Sequence, residues 1–156
     1  MKTYNWVTLG CGVIAHQLAD AMQQEGRTLY GVANRTYSKA KDFAEKYHIP
    51  KVYENIQDIF TDENIDIIYI STPHNTHIQY LKEHILCEKS ITLNSRELKE
   101  AKQLAEENQL ILAEAMTIYH MPLYKELHDR IASGSLGELN MAQMNFGSYK
   151  EYDMTN

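Results

Sequence analysis

Along most of this chain, short apolar runs that stop at turn residues alternate with longer segments whose apolar residues recur at helical spacing. Thr3 to Leu9 is aromatic and β-branched and ends at Gly10 and Gly12, which predicts a strand followed by a tight turn. From Val13 to Gln24, Ile14, Leu18 and Met22 recur with Ala15 and Ala19 at helical spacing, and Gly26 follows where a helix would stop. Thr28 to Ala33 reads as a second strand. Ser38 is expected to cap a helix that buries Ala40, Phe43, Ala44 and Tyr47. Lys51 to Tyr53 predicts a third strand, Ile56 to Phe60 a short helix, and Asp66 to Ile70 a strand apolar on both faces, as a parallel sheet covered by helices requires.

The alternation continues with a helix from Thr76 to Glu83 and a strand from His84 to Cys87. Asn94, with Glu97 three residues on, starts a helix striped with Leu98, Ala101, Leu104 and Ala105, and Leu110 to Ala113 is expected to be one more buried strand. The pattern places residues 1–118 in the α/β class, as a doubly wound parallel sheet of Rossmann type with about six strands. Pro122 then opens an amphipathic helix to Ala132, Gly134 and Gly137 break the chain, and Leu139 to Ser148 alternates with Ala142, Met144 and Phe146 on one face. A lone strand cannot bury its own face. Residues 119–156 are therefore expected to be a linker helix and the first strand of an incomplete α+β domain, whose remaining sheet comes from further sequence or another subunit.

Composition narrows the partners. A formal net charge of −6 leaves no cationic surplus to neutralise a nucleic-acid backbone or an anionic membrane, so neither is an expected partner. Cys11 and Cys87 form no CxxC pair, and with His74 and His77 they match no closed metal site, so no metal is expected and the thiols read as reduced. The N-terminus runs straight into strand-like residues without the apolar core of a signal peptide, and no apolar run approaches membrane-spanning length. A cytoplasmic location is the expectation.

Gly10-Cys11-Gly12-Val13-Ile14-Ala15 is a GxGxxA between a strand and a helix. Small residues there let the backbone approach a pyrophosphate, and the helix N-terminus offers unpaired N–H groups to it. Cys11 reads as a small filler. At the end of the second strand an acidic residue would bind the ribose hydroxyls, but this chain has Asn34-Arg35. A guanidinium there grips a 2′-phosphate, so NADP is expected over NAD.

These stretches resemble the Gfo/Idh/MocA oxidoreductases: Leu9 to Ala15 (LGCGVIA), Ala33 to Arg35 (ANR), Ser71 to His77 (STPHNTH), Cys87 to Asn94 (CEKSITLN), Ala113 to Met116 (AEAM) and Ile131 to Leu139 (IASGSLGEL). The dihydrodiol and xylose dehydrogenase branch is the nearest in pattern. The resemblance implies that Thr72, Pro73, Asn75 and His77 lie along the cofactor's pyrophosphate and ribose. It also implies that Glu88 holds the nicotinamide ribose, that Lys89 is catalytic and reaches a substrate hydroxyl, and that Glu114 stands near the nicotinamide. The implied activity is hydride transfer between the CH–OH group of a sugar or cyclic diol and the nicotinamide, with copies associating through the C-terminal region. Two departures stand out: Ser90 replaces the family's proline after the lysine, and the segment from His77 to Glu88 is roughly half a dozen residues short, which predicts a stunted crossover helix. Two rival readings are a non-catalytic nucleotide sensor and a methyl-donor enzyme, the latter requiring an acidic residue where Asn34-Arg35 stands.

Overall fold

Residues 3–81 and 84–145 are described by the computed structural model of the chain. The strands are β1 (Trp6–Leu9), β2 (Gly31–Ala33), β3 (Lys51–Tyr53), β4 (Ile67–Ile70), β5 (Ile85–Cys87) and β6 (Leu112–Glu114), and the α-helices are α1 (Val13–Gln24), α2 (Tyr37–Tyr47), α3 (Ser95–Glu107) and α4 (Pro122–Ala132). The strands pair in the order β3-β2-β1-β4-β5-β6, every neighbouring pair parallel. This is the expected doubly wound α/β sheet: winding reverses between β1 and β4, and all the strand ends that carry turns into helices share one edge.

Each central strand is apolar on both sides, and alternation sends its residues into two cores. Val7 and Leu9 of β1 join Ile68 and Ile70 of β4, Ile85 and Cys87 of β5, and Ala101 of α3. Val32 of β2 joins Ala15, Ala19 and Met22 of α1 and Ala40, Phe43 and Tyr47 of α2, with Trp6 packed alongside. Burying such an aliphatic side chain stabilises the fold by about 1.5–3 kcal/mol. His16 fastens α1 to α2, its Nδ1 2.9 Å from the Tyr47 hydroxyl and its ring 4.8 Å from that of Phe43.

Several elements differ from the sequence expectation. β1, β2, β4 and β5 start one to three residues later than expected, because pairing spans only three or four residues in each register. α2 begins at Tyr37 with Thr36, not Ser38, as its cap residue. β6 is Leu112–Glu114 instead of Leu110 to Ala113, and as an edge strand it is half-buried, with Ile111 before it 68% exposed. The Asn94 cap is as expected, its Oδ1 accepting from the backbone N of Arg96 and Glu97 at 3.1 Å, but Leu98 of the apolar stripe is exposed and only Ala101 is buried. Between β4 and β5 the crossover is a 3₁₀ helix (His74–Tyr80), stunted as the short segment predicted. The expected helix end at Glu83 lies outside the described residues.

Contacts divide the chain into one unit through Met116 and another from Thr117. In the second, a 3₁₀ turn (Thr117–His120) precedes α4, which Pro122 opens as expected, and Gly134 and Gly137 follow with φ of +72° and +73°. Residues 139–145 form no strand, since an isolated run has no ladder to satisfy its backbone; Phe146 and Ser148 of that expected strand lie outside the described residues. Among the described residues no helix is long and apolar enough to cross a membrane.

At the far edge of the sheet a polar knot fixes β3. The Tyr53 ring occupies the space a side chain on Gly31 would need, and its hydroxyl donates to Asp62 Oδ2 at 2.6 Å, the same oxygen that meets Lys51 Nζ at 2.5 Å. The Lys51 bond, then that of Tyr53, holds the Asp62 carboxyl well below the usual carboxylate range. A depressed carboxyl stabilises the fold above its ordinary pKa of about 4 and loses that contribution as pH falls toward the folded value. Asp62→Asn is therefore expected to lower Tm at pH 7, with the gap to the parent narrowing as thermal melts are repeated from about pH 4 down to about pH 2.

Candidate functional site

Because every strand is parallel, the turns after β1, β2, β4, β5 and β6 open on one edge of the sheet. Gly10 leaves β1 with φ +111°, its N–H donating to the Ala33 carbonyl at 2.9 Å. A side chain there would stand 2.8 Å from Ser71 Oγ and 3.1 Å from the Ser71 backbone, so only glycine lets the ends of β1 and β4 approach this closely. Gly12 has an extended backbone and open space for 4 Å around the position a Cβ would take. No side chain caps α1 and no acid stands in its first turn, so the N–H groups of Val13, Ile14 and Ala15 begin the helix without intrahelical acceptors. The Val13 and Ile14 side chains are exposed, while Ala15 is fully buried and sets the helix close to the sheet.

In front of this bend lies a groove of about 350 Å³, bounded by Gly10, Cys11, Gly12, Asn34, Arg35, Thr36 and Lys39 on one side and by Ser71, Thr72, Pro73, Thr76 and Tyr80 on the other. Its described lining has two cations, Arg35 and Lys39, and no acid. Asn34 spends its side-chain N–H on the Thr36 carbonyl at 2.9 Å, which fixes the turn and leaves Arg35 exposed beside it. Burial pushes the Cys11 thiol up to about 11 against the pull of Lys39, and burial with the negative Glu88 and Glu114 pushes Cys87 up to about 12. Both stay protonated near neutrality, in keeping with Cys11 as a filler.

Thr72 and Pro73 line the groove, with Thr72 accepting from Thr76 at 2.8 Å, whereas Asn75 is exposed outside its lining. His77 is fully buried and presents no surface to the groove; its ring spans the Thr72 carbonyl (Nε2, 2.8 Å) and the Ser90 carbonyl (Nδ1, 2.9 Å). It ties the loop after β4 to the loop after β5 instead of lying along a ligand. Glu88 follows β5, its N–H continuing the ladder to the Ile70 carbonyl at 2.9 Å, and its Oε1 accepts from the Tyr69 hydroxyl at 2.5 Å. Lys89 is exposed, and its bond to Ser90 is cis. Glu114, at the end of β6, accepts from the Ile91 N–H at 3.0 Å and so braces the same loop.

Residues 4–116 match the family model Gfo/Idh/MocA, described as an oxidoreductase family with an NAD-binding Rossmann fold. The chain belongs to this family. It is 30% identical over 151 residues to the trans-1,2-dihydrobenzene-1,2-diol dehydrogenases of Macaca fascicularis and Homo sapiens, covering 91% of itself but only 45% of each. The chain thus spans a little under half the length of these relatives. Among solved structures it resembles an NAD binding oxidoreductase from Klebsiella pneumoniae, with a TM-score of 0.81 at 22% identity over 88% of this chain and 40% of that one. A 3-ketoreductase from Actinomadura kijaniata in complex with NADP gives a TM-score of 0.77 at 24% identity, over 88% and 46%. At that identity the two structures share the fold.

The groove lies at the strand ends, where the winding of the sheet reverses, the place at which open α/β sheets bind ligands. A larger cavity of about 510 Å³, lined by Tyr4, Trp6, Ile67, Leu86 and Ile111, opens at the opposite edge, where the strands begin, and carries none of the candidate site residues. Sequence reasoning passed over Lys39, Ser71, Thr76, Tyr80 and Tyr69. Lys39 was within reach, as a basic residue in the first turn of α2 four positions after Arg35, and Ser71 was visible as the residue facing Gly10 once β1 and β4 are paired. Tyr69 looked like one more apolar strand residue.

The two glycines separate under substitution. Gly10→Ala is expected to destabilise by roughly 1–3 kcal/mol, through its backbone angle and the clash with Ser71. Gly12→Ala should cost at most about 1 kcal/mol, the difference between two helix caps in open space. Urea unfolding of both variants checks the order.

Proposed function

We propose that this chain is the cofactor-binding part of an NADP-dependent oxidoreductase, one that moves a hydride between the CH–OH carbon of a sugar or cyclic diol and the nicotinamide. The observation that carries the reading is the groove: an uncapped helix start behind a glycine with open space in front of it, and two cations with no acid at the adenosine end. Backbone N–H groups of Val13, Ile14 and Ala15 hold the pyrophosphate, because an anion at a helix start gains from unpaired donors and from the helix dipole. Arg35, with Lys39 beside it, grips the 2′-phosphate that a carboxylate in its place would repel. Thr72 and Pro73 border the pyrophosphate and ribose, with His77 supporting them from beneath.

When bound, the nicotinamide supplies the hydride chemistry. Glu88 holds the ribose beside it, Glu114 stabilises the loop, and the exposed ammonium of Lys89 lowers the cost of alkoxide-like charge on a substrate hydroxyl. The dihydrodiol dehydrogenase relatives and the NADP complex of a ketoreductase with the same fold support this reading. In this reading copies associate through the C-terminal region and the location is the cytoplasm.

A second reading, a nucleotide-binding module without turnover, draws on the seven-residue 3₁₀ crossover before β5. It predicts the same dinucleotide affinity with no change in nicotinamide absorbance when sugars or diols are added.

Fluorescence titration of the purified chain tests the cofactor assignment. NADPH is expected to bind about ten- to a hundredfold tighter than NADH, as one charge-assisted contact implies. Arg35→Ala should remove that preference, and Gly12→Ala should weaken both nucleotides at least tenfold while the melting curve stays near the parent's. Equal affinities for NADPH and NADH in the parent would refute the role of Arg35.

A further inference from the structure

Tyr69 sits near the middle of the sheet, 5% exposed, in register with Thr8 of β1 on one side and Leu86 of β5 on the other. Alternation along β5 puts Glu88, two positions after Leu86, on the same face as Tyr69. The tyrosine hydroxyl reaches the end of β5 from below and donates to Glu88 Oε1 at 2.5 Å, while the Glu88 backbone is pinned by its own bond to Ile70. A phenol costs burial energy unless its O–H is satisfied, and a half-buried carboxylate on a flexible side chain is poorly aimed unless one oxygen is held. One contact answers both needs.

We infer that Tyr69 is a positioning residue for the cofactor site: by holding Oε1 of Glu88 it aims the other carboxylate oxygen at the vicinal hydroxyls of the nicotinamide ribose. This rests on the reading of Glu88 given above. The free oxygen keeps its acceptor capacity, so the carboxylate can take a ribose hydroxyl without giving up the tyrosine. Burial, then the Glu88 contact, raises the Tyr69 hydroxyl above its ordinary range, so the proton stays on the phenol and the direction of donation does not change near neutral pH. Burial on the sheet also keeps the phenol from following the ligand, which makes it a fixed reference for the carboxylate.

The test compares two ligands on the full chain: NADPH, which reaches Glu88, and 2′,5′-ADP, which ends before it. Tyr69→Phe, which keeps the ring in its packing, is expected to weaken NADPH by about two- to tenfold, the scale of one side chain left to be ordered on binding, and to leave 2′,5′-ADP unchanged. Glu88→Gln should weaken NADPH alone as well, and the double variant should be no weaker than Glu88→Gln, since both act through one carboxylate. Loss of both ligands in Tyr69→Phe, unchanged NADPH affinity, or additive losses in the double variant would each overturn the positioning role while leaving the groove assignment standing. A parent that binds neither ligand overturns the groove assignment, and this inference with it. A measurement on the parent makes the test independent of how the tyrosine variant folds: the Tyr69 hydroxyl proton should shift in NMR on adding NADPH and not on adding 2′,5′-ADP, and a proton indifferent to NADPH overturns the proposal.

Discussion

The close passage of Gly10 against Ser71 is the constraint on which this molecule turns. With φ at +111° and the Ser71 side chain 2.8 Å from where a Cβ would be, the chain can leave β1 only as glycine. That exit lets β1 and β4 run side by side to their ends at the point where the winding of the sheet reverses, and it aims the start of α1 across the gap. A crevice at such a reversal is formed by topology, before any side chain is chosen to line it.

Around that crevice the polar contacts form a chain that links separate turns. The His77 ring joins the turn after β4 to the turn after β5, Glu114 joins the end of β6 to the backbone at Ile91, and Tyr69 joins the sheet interior to Glu88. Each contact links two segments of the fold, and each restricts a loop that bears a candidate site residue. The shortened crossover gives this network added weight. A seven-residue 3₁₀ helix stands where a longer helix would brace β4 and β5, and the buried His77 lies within that segment.

The fold was legible because its signals are local. The two-residue and 3.6-residue periods, the glycine bend, the Asn94 cap and the double-sided apolar run at β4 each fix an element from a few neighbours. Errors fell where a partner decides the outcome: β6 proved half-exposed because it ends the sheet, and residues 139–145 formed no strand because an alternating run becomes one only beside another. The glycine bend at Gly10 and Gly12 was equally plain, and so was the cation at Arg35. His77 was not, since a histidine in a motif looks the same whether its ring faces a ligand or two carbonyls.

By itself the sequence determined the class of sheet, the place of the glycine bend, the absence of an acid beside Asn34 and Arg35 after β2, and the family, because each depends on residue type and spacing along one stretch of chain. The tertiary structure alone decided which turns face one another across the groove, that the His77 ring spans two loops, and that the Tyr69 hydroxyl meets Glu88. Those facts depend on strand order and register, which bring together residues 13 to 62 positions apart, and no local pattern encodes that distance.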